Sequence, residues 1–262
     1  MSTLTRAASV LRRLRRTRGA AQSSRAPATF EEVERAERIF YLEYLREGMT
    51  VFDVGANVGE LTMLFSRFVG ATGSVHAFEP SVRAFERLET VCRAAALRNV
   101  RLNRLALAEE EGPLSLHVYD DDHMSWNTRA VRPLEDYGID VKPLAVEEVD
   151  ATTLDLYCER SGVGEIDLLK IDVEGAEFQV LAGARRMLHE WRVRCLTFEF
   201  GQTTFDMGNS PDLIESLLCD AGYEWRNVVA GDPVFPGREG AQTACYSMHV
   251  AVPLERAGAK RS

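Results

Sequence analysis

Short apolar runs that end in an acid recur along this chain, each followed by a turn and then by apolar residues at helical spacing. Met49–Val54 carries Asp53, Ser74–Phe78 leads into Glu79-Pro80, Ile166–Val173 carries Asp172, and Cys195–Phe200 carries Glu199. Helices are expected over 58–68, 81–96, 175–189 and 212–221, with Tyr223–Val229 and Tyr246–Val252 as the last strands around the Gly/Pro-rich turn 231–240. Near-continuous apolar strands alternating with helices predict an α/β fold, a mostly parallel sheet with helices on both faces. Ligands of such sheets bind beyond the carboxyl ends of the strands. The four acids are therefore expected to converge on one edge.

Flanking segments fit around this frame. Thr29-Phe30-Glu31-Glu32 has capping-box spacing, so a helix is expected from 30 to 46 with Val33, Ala36, Phe40 and Tyr44 inward. In the helix over 58–68, Leu61, Leu64, Phe65 and Phe68 are expected inward. Arg101–Leu107 reads as strand three, Leu114–Val118 as an extra strand, Asp120–Asp136 as loop and Thr153–Arg160 as a short helix. Seven arginines and no acid occupy the first 30 residues. This head, residues 1–28, reads as a disordered, solvated arm in preference to a transit peptide or an arm for an anionic surface. One domain over 29–255 and a tail over 256–262 follow.

Charge and cysteine usage narrow the partners. The 262 residues carry a formal net charge of −9, which disfavours nucleic acid, since affinity for it rests on neutralising phosphates. No apolar run approaches the ~20 residues of a membrane span. The five cysteines, at 92, 158, 195, 219 and 245, form no C-x-x-C pair. They read as reduced, packed thiols, which points to the cytoplasm. Oligomeric state is not legible.

VFDVGANVGE, residues 51–60, reads as a strand end, a glycine turn and a helix start. It is not G-x-G-x-x-G, and Asp53 would repel a pyrophosphate, so the ligand lacks phosphates or carries positive charge. Gly55 lets the backbone approach a ligand. Gly59 lets the helix pack close to the strand. Asn57 suits an unusual turn conformation or a donor to a ligand carboxylate. Glu79, ending the next strand, is placed to accept hydrogen bonds from both ribose hydroxyls. Asp53 as a simple turn cap and Glu79 as a solvated acid are the plainer alternatives.

KIDVEGAE, residues 170–177, is the second cluster. Lys170 and Asp172 lie two apart on one side of a strand. Buried charge is costly without a partner, so they are either a mutual ion pair or a catalytic, ligand-holding pair. Glu174 and Glu177 fall at a helix start, where capping alone accounts for acids.

DVGANVGE, then AFEP (Ala77–Pro80), TTLD (Thr152–Asp155) and KIDVEGAE, in this order over residues 49–200, resemble the FkbM family of S-adenosylmethionine-dependent methyltransferases. The resemblance implies a Rossmann-like class I methyltransferase fold, seven strands in the order 3-2-1-4-5-7-6 with strand seven antiparallel. It implies S-adenosyl-L-methionine as cofactor and O-methylation of a hydroxylated small molecule, a sugar or secondary metabolite. Asp53 then raises the negative potential near the sulfonium, Glu79 holds the ribose, Asn57 and the turn amides receive the methionine carboxylate, and residues 103–109, with Asn103, Ala106 and Glu109, border the adenine. Glu109 stands where the family often has Asp.

Transfer to an alcohol needs a base near the attacking oxygen. Asp172 is the first candidate by position and His123 the second by its natural pKa; Lys170 qualifies only if burial depresses it. His76, His117, His189 and His249 read as structural. Asp120–Asp122 with Asp172 and Glu199 would suit a hard cation, but a solvated acidic loop is the preferred reading and no metal is assigned. An NAD(P)-dependent oxidoreductase or epimerase would want G-x-G-x-x-G and a Tyr-x-x-x-Lys, neither of which is present. A non-catalytic binding module would tolerate a degraded turn, and the turn is intact.

Overall fold

The computed structural model describes residues 27–238 and 244–254; the arginine-rich head up to residue 26 and the tail lie outside them. Helix α1 (Phe30–Tyr44) opens with the capping box of Thr29 and Glu32. There follow β1 (Thr50–Val54), α2 (Glu60–Val69), β2 (Ser74–Phe78), α3 (Val82–Ala94) and β3 (Val100–Asn103). Next come β4 (Ala106–Leu107), β5 (Gly112–Val118), β6 (Ala145–Thr152), α4 (Leu154–Ser161) and β7 (Leu168–Ile171). The chain continues through α5 (Glu177–Ala182), α6 (Arg185–His189), β8 (Leu196–Phe200), α7 (Gln202–Asp206), α8 (Pro211–Asp220), β9 (Tyr223–Asn227) and β10 (Ser247–Pro253).

The main sheet runs β3-β2-β1-β7-β8-β10-β9. Numbered within this sheet alone, that is 3-2-1-4-5-7-6. β10 pairs antiparallel with both neighbours, and the other pairings are parallel. Strand alternation sorts the core. Phe52, Leu169 and Leu196 point to the face covered by α4, α5, α6 and α8. Val51, Leu168 and Cys195 point to the other, covered by α1 and α2. A separate three-stranded sheet, β4-β6-β5, stands beside the main one.

Four local expectations are corrected. Strand three is interrupted: β3 stays in the main sheet, while β4 crosses to the small one. β6 is an eight-residue strand hidden in AVEEVDAT, because its outward face is acidic and only Val149, Ala151 and Thr152 are buried. The helix over 175–189 is two helices. Gly183 caps the first of them, and only glycine fits there, since a Cβ would lie 2.0 Å from the Ala108 carbonyl oxygen. The carboxylate of Asp155 then caps α6, accepting from the amides of Arg186 (2.8 Å) and Met187 (3.0 Å). In α2 the buried positions are Thr62, Phe65, Ser66 and Val69, and Phe68 faces outward. The TTLD motif is accordingly structural: Thr153 caps α4 and Asp155 caps α6.

Candidate active site

The turn after β1 is bound to the tip of β2. The amides of Gly55 and Ala56 donate to the Phe78 carbonyl at 3.0 and 2.9 Å. The Asn57 amide donates to Glu79 Oε2 and the Ser81 amide to Glu79 Oε1, both at 2.9 Å. Burial pushes the Glu79 carboxyl up to about 7 even though both amides oppose the shift. Gly55 has φ +76°, and a Cβ there would stand 1.8 Å from the Asp172 carbonyl oxygen. Asn57 takes the left-handed conformation (φ 46°), and its buried Oδ1 has no hydrogen-bond partner among the described residues. Gly59 serves a different contact from the one expected: a Cβ there would meet Leu88 of α3 at 2.6 Å, so it admits α3 rather than the strand.

Glu79 lines a cavity of about 120 Å³ whose other walls are mostly apolar, with Phe78, Leu105, Ala106, Leu107 and Met124. Asn103 does not reach it. Its amide donates to the carbonyls of Ala77 and Arg101, and its Oδ1 accepts from the Tyr157 hydroxyl at 3.1 Å. Glu109 is paired with Arg129 at 2.8 Å, and it is Arg129 that lines the cavity.

Asp53 lies deeper than expected. It is fully buried, lines neither cavity described here, and accepts from the Thr62 hydroxyl at 2.5 Å. Its neighbour across the sheet is Lys170, whose Nζ lies 3.3 Å from Asp53 Oδ1 and 3.4 Å from Asp172 Oδ2 and donates to the Gly55 carbonyl at 2.8 Å. Burial alone would lower the Lys170 pKa, but Asp172 and Asp53 outweigh it and hold the amine well above its ordinary value. Lys170 is thus a permanent cation. Asp172 is shifted down despite burial, through the Lys170 charge and a hydrogen bond from Glu199. Glu199 is pushed strongly up by its burial and by the neighbouring Glu174, Asp172 and Glu177.

A second cavity, about 330 Å³, lies on the α1 side. The two share one wall: Gly55, Asn57, Ser125, Asp172 and Glu174. Carboxylate oxygens of Asp172, Glu174 and Glu199 there lie within 4.8 Å of one another. The acids of residues 120–122 take no part in that group among the described residues: Asp121 is held by Arg83 and Arg87, and Asp120 by His123. His123 is bonded to Asp120 at 2.6 Å, packs on Trp126 with ring centroids 4.7 Å apart, and lines neither cavity.

The segment after β5 nonetheless supplies Ser125 to both cavities and Trp126 to the second. Its anchor is Asp206, which accepts from Tyr137 Oη at 2.7 Å and from Arg132 Nε at 3.3 Å. Arg132 in turn lies over the Trp126 ring, 5.6 Å from its centroid.

Glu37 of α1 also lines the second cavity, and sequence reading passed over it. The signal was its spacing: 33, 37, 40, 41 and 44 form the buried stripe of α1, with the acid in its middle. His249, by contrast, is structural. Burial drives it down to about 3, and its Nε2 accepts from the Phe235 amide at 3.1 Å.

Residues 53–225 match the family model described as the methyltransferase FkbM domain. The 31-O-demethyl-FK506 methyltransferase FkbM of Streptomyces tacrolimicus is 32% identical over 225 residues, covering 76% of this chain and 81% of that protein. The 2-O-methyltransferase NoeI of Sinorhizobium fredii (strain NBRC 101917 / NGR234) is 27% identical over 185 residues, 68% of this chain and 73% of its own. The crystal structure of methyltransferase FkbM from Methylobacillus flagellatus KT aligns with a TM-score of 0.48 at 16% identity, over 94% of this chain and 60% of that one. The breadth of the domain match, with the similarity to the Streptomyces enzyme, places this chain in the FkbM methyltransferase family.

Proposed function

We propose that this methyltransferase acts on a hydroxyl of a small natural product or sugar, with S-adenosylmethionine as donor, in the cytoplasm and not on nucleic acid. The observation that carries the reading is the wall common to the two cavities: a largely apolar cavity lined by the buried Glu79 meets a larger polar one at Gly55, Asn57, Asp172 and Glu174. One relative is named a 31-O-demethyl-FK506 methyltransferase and another a 2-O-methyltransferase.

The residues present fit the donor. When bound, S-adenosylmethionine supplies a methyl group made electrophilic by a positively charged sulfur. Glu79 offers the free lone pairs of two fixed carboxyl oxygens to ribose hydroxyls, Leu105, Ala106 and Leu107 offer an apolar slot to adenine, and the unpartnered Asn57 Oδ1 offers an acceptor to an ammonium group. Gly55 supplies the bare backbone that the close approach needs. Asp172, kept ionised by Lys170, orients the acceptor hydroxyl at the common wall and sets negative charge near the sulfonium. Asp53 acts through Lys170.

Calorimetry tests this. S-adenosylhomocysteine should bind in the micromolar range and NAD not at all. Glu79→Ala should weaken that binding by about tenfold or more, as expected for losing hydrogen bonds to a charged acceptor. Binding of NAD in place of S-adenosylhomocysteine would overturn the reading.

A further inference from the structure

Helix α1 lies before residue 53, where the family match begins, yet it forms one side of the second cavity. Glu37 stands there with 7% of its surface exposed. Its Oε1 accepts from the Tyr41 hydroxyl at 2.6 Å, and Tyr41 is held in turn by Thr197 of β8 at 2.9 Å. Glu37 Oε2 accepts no hydrogen bond from any described residue, and the side chain lines the cavity. On a side chain this buried, an acceptor oxygen that opens on the cavity is placed to take a donor from the ligand.

The surroundings decide which donor. Glu34 joins Glu37 on this side, and Asp172, Glu174 and Glu199 face it from the strand ends. The two cations on the lining are committed, Arg38 to Glu60 at 2.6 Å and Lys170 to Asp53 and Asp172. Burial, reinforced by neighbouring acids, raises Glu37 to about 7 and Glu174 to about 8, so the cavity relieves its own repulsion by holding protons. A cationic ligand does the same without that cost. Rings of Phe30, Trp126 and Tyr246 line the same space and can seat an ammonium on their faces. A metal ion suits the place less well. The tightest carboxyl group, Asp172, Glu174 and Glu199, already has Lys170 at 3.4 Å from Asp172 and Arg132 at 3.9 Å from Glu174.

We propose that the methyl acceptor carries a protonated amine beside its hydroxyl, as an amino sugar does, and that Glu37 seats this amine. The proposal rests on the methyltransferase reading for the word acceptor, but its charge preference is measured separately. The full chain is titrated with D-glucosamine, D-glucose and D-glucuronate, with and without S-adenosylhomocysteine, and binding is followed by ligand-observed NMR. Glucosamine should bind about tenfold more tightly than glucose, and glucuronate not detectably, as expected for an ion pair aided by aromatic faces. Glu37→Gln should erase the preference for glucosamine over glucose while S-adenosylhomocysteine affinity, the control for folding, stays unchanged. Equal binding of glucose, binding of glucuronate, no binding of any of the three at millimolar concentration, or a preference that survives Glu37→Gln would overturn the proposal. So would tight binding of Mg²⁺ alone without response to glucosamine. Failure of S-adenosylhomocysteine to bind would instead strike the donor reading and leave the sugar series readable.

Discussion

Lys170 and Asp53 face each other across β7 and β1 as register partners, Nζ 3.3 Å from Oδ1, with 3% and 0% of their side chains exposed. Removing one partner strands the other charge in the sheet. Lys170→Met should therefore destabilise the protein by about 3–5 kcal/mol, the usual cost of orphaning a buried ion-pair partner. The double variant Lys170→Met, Asp53→Asn should recover part of that loss. Urea unfolding of both single variants and the double checks the pair; an equal effect of Asp53→Asn with and without Lys170 would show that the two charges are not coupled.

Gly55→Ala should be more damaging than its size suggests. The new methyl would sit 1.8 Å from a backbone carbonyl oxygen, which no rotamer change relieves, in a residue with φ +76°. Left-handed strain alone costs of order 1–3 kcal/mol, and displacement of the Asp172 backbone adds to it. The expected result is a sharply lowered thermal midpoint and loss of S-adenosylhomocysteine binding.

Stability should fall as pH rises from 6.5 to 8. Burial raises Glu37, Glu79 and Glu177 to about 7 and Glu174 to about 8, well above their ordinary value. In this window the folded chain holds protons that the unfolded chain has already released, so unfolding is increasingly favoured as pH climbs. The buried histidines act oppositely but earlier: His76 at about 4 and His249 at about 3 stay neutral when folded and oppose stability only below the ordinary histidine value. Thermal midpoints across this range check the sign; a rising midpoint would contradict it.

Asp206→Ala should loosen the segment that walls both cavities. Its side chain is 2% exposed and gathers Tyr137, Arg132 and Gln202. The loss leaves Arg132 without its buried partner, at about 2–3 kcal/mol in local stability. Hydrogen exchange over residues 123–137 should speed up, and S-adenosylhomocysteine affinity should drop several-fold. Unchanged exchange there would show that other contacts hold the segment.

What was legible in the sequence follows from which forces act locally. While the strand order followed from the resemblance alone, the parallel frame and the adjacency of the first two strand ends were readable, because apolar runs, glycines and strand-end acids are local marks of a parallel sheet. The path of residues 104–152 was not. β5 shows in the alternation of Leu114, Leu116 and Val118, but β6 turns Glu148 and Asp150 to solvent, and its pairing with β5 across a long connection leaves no mark in its own sequence. Residues bordering the first cavity were placed to within two positions: Ala106 lines it, while Asn103 and Glu109 on either side are bound to protein groups. Asp53 looked like a ligand contact because register across strands decides what an acid meets, and its partner lies 117 residues downstream in sequence. Glu37 escaped notice because an acid on a helix ordinarily reads as a solvated one.

The first helix has a consequence for how this enzyme diversifies. It presses Glu37 into one chamber from a stretch of chain that the family match leaves out, while Glu79 and the glycine bend govern the other from within that match. Substitution at Glu34 and Glu37, which line the second chamber and not the first, is the change expected to alter the one and spare the other.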